Sequence, residues 1–158
     1  AQGDLRVGGR QRIATLIRFD LSCIPSNATI QSAVLSVYGY GCEGTPGDAG
    51  VFVILRGWNE AQATWNRATL SDPWGEPGCN LAGHDRGASA ASDMVIVQPG
   101  WCTASLCADV QRKVNTPSGN KGWLIRQGAQ VPGMVSTYSS EHSTIEERPK
   151  LVVTYSVL

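Results

Sequence analysis

Residues 15–38, Thr15-Leu-Ile-Arg-Phe-Asp-Leu-Ser-Cys-Ile-Pro-Ser-Asn-Ala-Thr-Ile-Gln-Ser-Ala-Val-Leu-Ser-Val-Tyr38, decide the fold. They read as strand, tight connection, strand. Thr15, Ile17, Phe19 and Leu21 alternate, and so do Ala33, Leu35 and Val37 after the break at Pro25-Ser26-Asn27. Residues two apart share one face of a sheet, so each strand offers an apolar side to a core. The opposite sides carry Arg18 and Asp20, then Ser36, Tyr38 and Tyr40.

Outward from this stretch, further strands are predicted over 51–56, 93–97, 122–127, 135–140 and 150–157. Clusters of Gly, Pro and Asn separate them, such as Gly44-Thr-Pro-Gly47 and Pro73-Trp-Gly-Glu-Pro-Gly78. One helix is predicted from Ser105 to Val114, with Leu106, Val110 and Val114 on one face, Ser105 as its cap, and Asn115 and Pro117 ending it. A short helical turn is predicted over 60–65. Short strands with long loops predict an all-β fold, a two-sheet antiparallel β-sandwich of jelly-roll type with one short helix, in a single domain over 1–158.

Lys plus Arg equals Asp plus Glu at 13 each, so no charge excess marks the chain for nucleic acid or an anionic membrane surface. The longest apolar runs are too short to span a bilayer. The chain opens on Ala1-Gln2 without an initiator Met and is read as a processed form or an excised piece. Five cysteines, Cys23, Cys42, Cys79, Cys102 and Cys107, show no Cys-x-x-Cys spacing. They predict one or two disulfides in an oxidising compartment, with an odd thiol left free or bridging to another subunit.

The segment from Leu16 to Tyr38 resembles the opening of DNRLRE domains. So do Trp58-Asn-Glu-Ala-Gln-Ala-Thr-Trp-Asn-Arg-Ala68, Pro73-Trp-Gly-Glu-Pro-Gly-Cys79, Gly122-Trp-Leu-Ile-Arg126, Ser139-Ser-Glu141 and Arg148-Pro-Lys-Leu-Val-Val-Thr-Tyr155. The resemblance runs from about Leu5 to Tyr155 in the family's order. It implies a secreted β-sandwich module of bacterial or archaeal surface proteins with no catalytic motif, some relatives being carbohydrate-binding modules for polysaccharides such as alginate. Two departures stand out. Family members usually carry a further strand before the segment matching Leu5-Arg-Val-Gly8, and Ser105-Leu-Cys107 replaces the family's Asp-Val-Thr run.

Several residues are candidates for function. Tyr38, Tyr40, Trp74 and Trp101 are candidate contacts for a sugar ring or a neighbouring subunit, whereas Trp58, Trp65 and Trp123 are expected to pack under loops or in the core. His84-Asp85 with Ser89 or Ser92 lacks a nucleophile elbow and is read as a solvated loop. Glu141, Glu146 and Glu147 could supply a glycosidase pair only if two faced each other across a cleft, and a solvated or ion-paired surface beside Arg148 is expected instead. No cofactor and no metal site are expected. Calcium on loop carboxylates such as Asp48 or Asp72 would suit a secreted sandwich but has no motif behind it.

A jelly roll one strand short exposes a strand edge that another chain can pair with. The leading expectation is therefore a non-catalytic extracellular structural or adhesive subunit, partnered by copies of itself through sheet edges, with repetition giving a filament or surface layer. The alternative is a carbohydrate-binding module for an extracellular polysaccharide.

Overall fold

The computed structural model describes residues 4–8, 13–128 and 131–158. Among these residues nine strands form two antiparallel sheets: β1 (Asp4–Gly8), β2 (Thr15–Ile17), β3 (Ala28–Glu43), β4 (Ala49–Val53), β5 (Ser92–Met94), β6 (Gly100–Ser105), β7 (Trp123–Gln127), β8 (Met134–Tyr138) and β9 (Lys150–Val157). The larger sheet runs β1-β8-β3-β6 with β9 also on β3, and the smaller runs β2-β7-β4-β5. The chain crosses repeatedly between the sheets, as the expected sandwich requires. Ile17, Leu35, Val37, Val51, Met94, Trp123 and Ile125 meet in one core between them.

The organising strand is β3, sixteen residues long. Residues Val34–Gly39 pair with β6 on one side. On the other side β8 takes Gly39–Glu43 and β9 takes Ala28–Ser36. Thus β8 and β9 lie end to end along β3, with residues 139–149 looping out between them. The pairing slips at Gly39/Gly41, a bulge that leaves Tyr40 as the extra residue.

The predicted helix is α1 (Cys107–Asn115). Leu106, Val110 and Val114 are buried as their spacing predicts. The cap differs: the capping position is Leu106, and no side chain bonds the first turn, so Ser105 closes β6 instead. Helix α1 also seals β3 beyond the end of β6. Gln111 accepts from the Ile30 N–H at 2.8 Å and donates to the Ala28 carbonyl at 3.1 Å, and the Cys107 thiol reaches the Ile30 carbonyl. The helical turn predicted over 60–65 is a set of turns instead, held by the Ala63 N–H on the Asn59 carbonyl and the Ala61 N–H on the Asn59 side chain.

All of β7 is buried because both of its faces are covered. Trp123 and Ile125 face the main core. Leu124 faces a second cluster of Ile54, Ala68, Trp74 and Cys79, formed where the long 55–91 connection folds over the smaller sheet.

Candidate functional site

Tyr38, Tyr40 and Trp101 come together on the outer face of the larger sheet. Tyr38 lies opposite Trp101 across the β3–β6 pair, and their rings meet edge to face at 5.3 Å. Tyr138 of β8 stacks on Tyr40 at 4.5 Å and on Tyr38 at 5.9 Å. His142, from the loop between β8 and β9, stacks on Tyr138 at 3.5 Å and pairs with Glu147 at 3.2 Å. Lys150 sets its ammonium 4.0 Å from the Trp101 ring centroid. Sequence reading missed Tyr138 and His142. The outward parity of Tyr138 beside Tyr38 was a usable signal, whereas the fold-back of His142 was not.

This packing limits what the patch can bind. A sugar stacks on the free face of an aromatic ring, but these rings spend their faces on one another. Tyr138 lies against Tyr40 and His142, and the Trp101 face carries Lys150. Tyr40 is the most exposed of the candidates. The cluster stiffens the sheet more than it offers a stacking platform.

Trp74 is a correction. It is buried on the opposite side of the molecule, in the cluster over the smaller sheet, where its indole N–H donates to the Thr64 carbonyl at 2.9 Å. The 55–91 connection covers it, so it cannot join the aromatic face.

The disulfides are a second correction: all five cysteines are free. Their positions explain why. Cys79 lies in the cluster beyond the smaller sheet, which separates it from the main core, and Cys102 on β6 and Cys107 at the start of α1 border that core from different elements. Cys23 and Cys42 are exposed. Burial, with the neighbouring Asp85 charge, pushes the Cys79 thiol up to about 12, and burial raises Cys102 as well. Native protein treated with a thiol reagent at neutral pH is expected to label at Cys23 and Cys42 first. Cys79 and Cys102 should react only after denaturation, and peptide mass mapping reads the order. Rapid native labelling of Cys79 would contradict this packing.

Three of the acidic candidates, Asp85, Glu147 and Asp72, make structural bonds. Asp85 is fully buried and accepts the backbone N–H groups of Gly75, Glu76 and Leu81 at 2.9–3.1 Å, with His84 at 3.0 Å and Arg56 at 3.6 Å. Its oxygens hold the 75–86 loop together, so the His84-Asp85 pair is an anchor. Glu147 is occupied by His142, and Arg148 donates to the His142 carbonyl. Among the described residues no group of three His, Cys, Asp or Glu side chains is placed to hold a metal ion. Asp72 accepts the Thr69 hydroxyl.

The clearest unoccupied surface is a strand edge. Strand β9 pairs with β3 alone among the described strands. The other edges are short or partly closed. Strands β2 and β5 have three residues each. The Thr15 hydroxyl donates to the Arg6 carbonyl of β1, and Val95 bridges Thr103 of β6. By contrast β9 runs eight residues, and from Leu151 to Val157 it carries no charge, proline or glycine. Its inward side chains are also incompletely covered. Tyr155 and Val157 are 40% and 48% exposed, although their partners across the ladder, Ile30 and Ala28, are buried.

Compared with known family models and with curated proteins, the chain finds no match.

Proposed function

We propose that this protein is a non-catalytic structural subunit that assembles with copies of itself by strand addition at β9, building an extracellular filament or surface layer. The observation that carries this reading is the undefended β9 edge with half-covered core residues beside it. Natural edges are normally blunted by charge, proline, bulges or shortness; β9 beyond Lys150 has no charge, proline or shortness, and the bulge in its ladder falls on β3, between Ile30 and Ser32. A strand laid along β9 would take up its outward backbone groups, and its alternate side chains would cover Tyr155 and Val157. A heterologous contact of this kind repeats without closing. The extracellular placement rests on the DNRLRE resemblance, because free thiols no longer argue for an oxidising compartment. No described helix is long and apolar enough to cross a membrane.

The alternative, a carbohydrate-binding module, is favoured by one observation: Tyr38, Tyr40 and Trp101 do share a face. The mutual stacking of those rings makes it the second reading.

The test is imaging and light scattering of purified protein across concentration, beside Val152→Lys and Val157→Lys variants. Val152 is 55% exposed and Val157 48%, so both lysines are tolerated by the fold. Polymers are expected for the parent and at least a tenfold drop in polymer mass for the variants, since like charges then repeat along each added edge. A parent that stays monodisperse at every concentration would overturn the reading and favour the second one.

A further inference from the structure

A cleft on the smaller sheet, opposite the aromatic face, gathers two arginines that, among the described residues, have no carboxylate at ion-pair distance. Arg126 lies on β7, on the same side as Leu124, and is only 5% exposed. Arg86 comes from the loop that crosses it. Both guanidinium groups converge on one neutral acceptor, the Asn80 side-chain oxygen: Arg126 through Nη1, Arg86 through Nε and Nη2. Arg86 also donates to the Gly87 carbonyl at 2.9 Å and lies 4.4 Å over the Phe52 ring. Arg126 donates to no other described protein group. The carboxylate ion pairs among the described residues involve Arg56, His84, Arg112 and His142, and neither Arg86 nor Arg126 takes part.

We propose that this cleft binds one oxyanion, a carboxylate, sulfate or phosphate group of a ligand, between Arg86 and Arg126. The space is sufficient: the cleft beside the two guanidiniums is about 310 Å³. The chemistry is specific. A guanidinium has five N–H donors, and one bond to Asn80 leaves most of those on Arg126 unused. Two like charges drawn to one oxygen repel each other, and an anion placed between them relieves that repulsion while taking paired N–H bonds. Burial, and next the Arg86 charge, lower the Arg126 pKa, and the nearby Cys79 and Glu76 offset them only in part.

Asp48 and Asp93 also line the cleft. Both are exposed, so water screens them, and neither pairs with the arginines. At the rim they can accept hydroxyls from a ligand whose anionic group sits deeper. The inference is independent of strand addition at β9, which lies on the other sheet, and the two can fail separately.

Titration of the whole protein with sodium sulfate, phosphate and glucuronate, against glucose and sodium chloride at matched ionic strength, tests the site. Arginine side-chain NMR shifts and calorimetry are the readouts. Saturable binding of at least one oxyanion is expected, with Arg86 and Arg126 Nε–H signals moving together and glucose silent. Arg86→Gln is expected to weaken binding at least about tenfold, the loss of one charge-assisted bond. Arg126→Met should abolish it, and because this strand residue is buried, Arg86→Gln carries the test if Arg126→Met fails to fold. Binding of glucuronate alone would make the group a sugar carboxylate, and binding of all three a general oxyanion. Either supports the site. No saturable binding by any of the three, or unchanged affinity in Arg86→Gln, overturns it.

Discussion

Replacing Trp123 by alanine is expected to cost about 3–5 kcal/mol, a large part of the whole stability of a domain this size. Trp123 opens β7, is 0% exposed, and lies between Ile17 of β2 and Val53 of β4 across the two ladders. Its ring fills the core where the smaller sheet meets helix α1. The indole N–H donates to the Asp109 carboxylate at 2.9 Å, and the Lys113 ammonium sits 4.8 Å from the ring centroid. Alanine would leave a cavity lined by strands that cannot all move inward, and it would also strip a bond from the buried Asp109. Trp123→Phe separates these effects. It keeps most of the packing and loses the N–H, so about 1–2 kcal/mol is expected. Urea unfolding followed by circular dichroism gives both values. A loss below about 1 kcal/mol for alanine would mean that the sheets close over the gap, contrary to close packing of the core.

Where periodicity controls burial, the sequence was readable. Leu35 and Val37 face the core as their alternation requires, Leu106, Val110 and Val114 bury one helix face, and β9 spans the predicted 150–157. Strand β3 proved longer than its alternation showed, because Gly39 and Gly41 look like a break, yet Gly39 pairs with both β6 and β8 and Gly41 with β8. Strand β6 was unread, since Gly100-Trp-Cys-Thr-Ala-Ser105 has one β-branched residue and no clean alternation. Alternation from Thr15 predicts a strand through Leu21, but β2 ends at Ile17. Beyond it the chain leaves the ladder, and the Phe19 carbonyl instead accepts from the Asn120 side chain.

The candidate site was legible only in part, and the reason is physical. Outward parity at Tyr38 is a local property, so it could be read. Whether an outward ring is free or stacked depends on what folds over it, and neither His142 over Tyr138 nor residues 55–91 over Trp74 has a local signal. Cysteine pairing likewise depends on distances between distant segments. Edge exposure is also non-local: β9 carries the same kind of residues as a buried strand, and only the topology of the described strands leaves its far side without a partner.

Asp85 makes the second large prediction, and it turns on a carboxylate's particular suitability. One oxygen accepts the Gly75 N–H and faces His84 and Arg56; the other accepts the N–H groups of Glu76 and Leu81. Asp85→Ala leaves three backbone donors without their acceptor, and a loss of about 3–5 kcal/mol is expected. Asp85→Asn has nearly the same shape but turns an NH2 toward N–H donors, so most of that loss should persist. Burial works to raise the Asp85 pKa, but the N–H groups of Glu76 and Gly75, the His84 side chain and the Leu81 N–H outweigh it and hold the carboxyl below its ordinary value of 3.8. The sign of the pH effect follows. The unfolded chain binds this proton more readily than the folded one, so the stabilisation is fully present above the unfolded pKa and fades as pH falls through the folded one. Melting temperatures of the parent should therefore drop more steeply below about pH 4 than those of Asp85→Asn, which lacks the titrating group. Parallel acid profiles would show that Asp85 does not anchor the loop. Hydrogen exchange supplies the local readout: amide protection at Gly75, Glu76 and Leu81 should fall in the variant, and by more than in the β3–β6 ladder. The 75–86 loop also carries Cys79 and Asn80, so its loosening would expose the buried thiol and release the acceptor shared by Arg86 and Arg126. A carboxylate that sequence alone places in a solvated loop thus holds together both the cover of the smaller sheet and the cleft beside it.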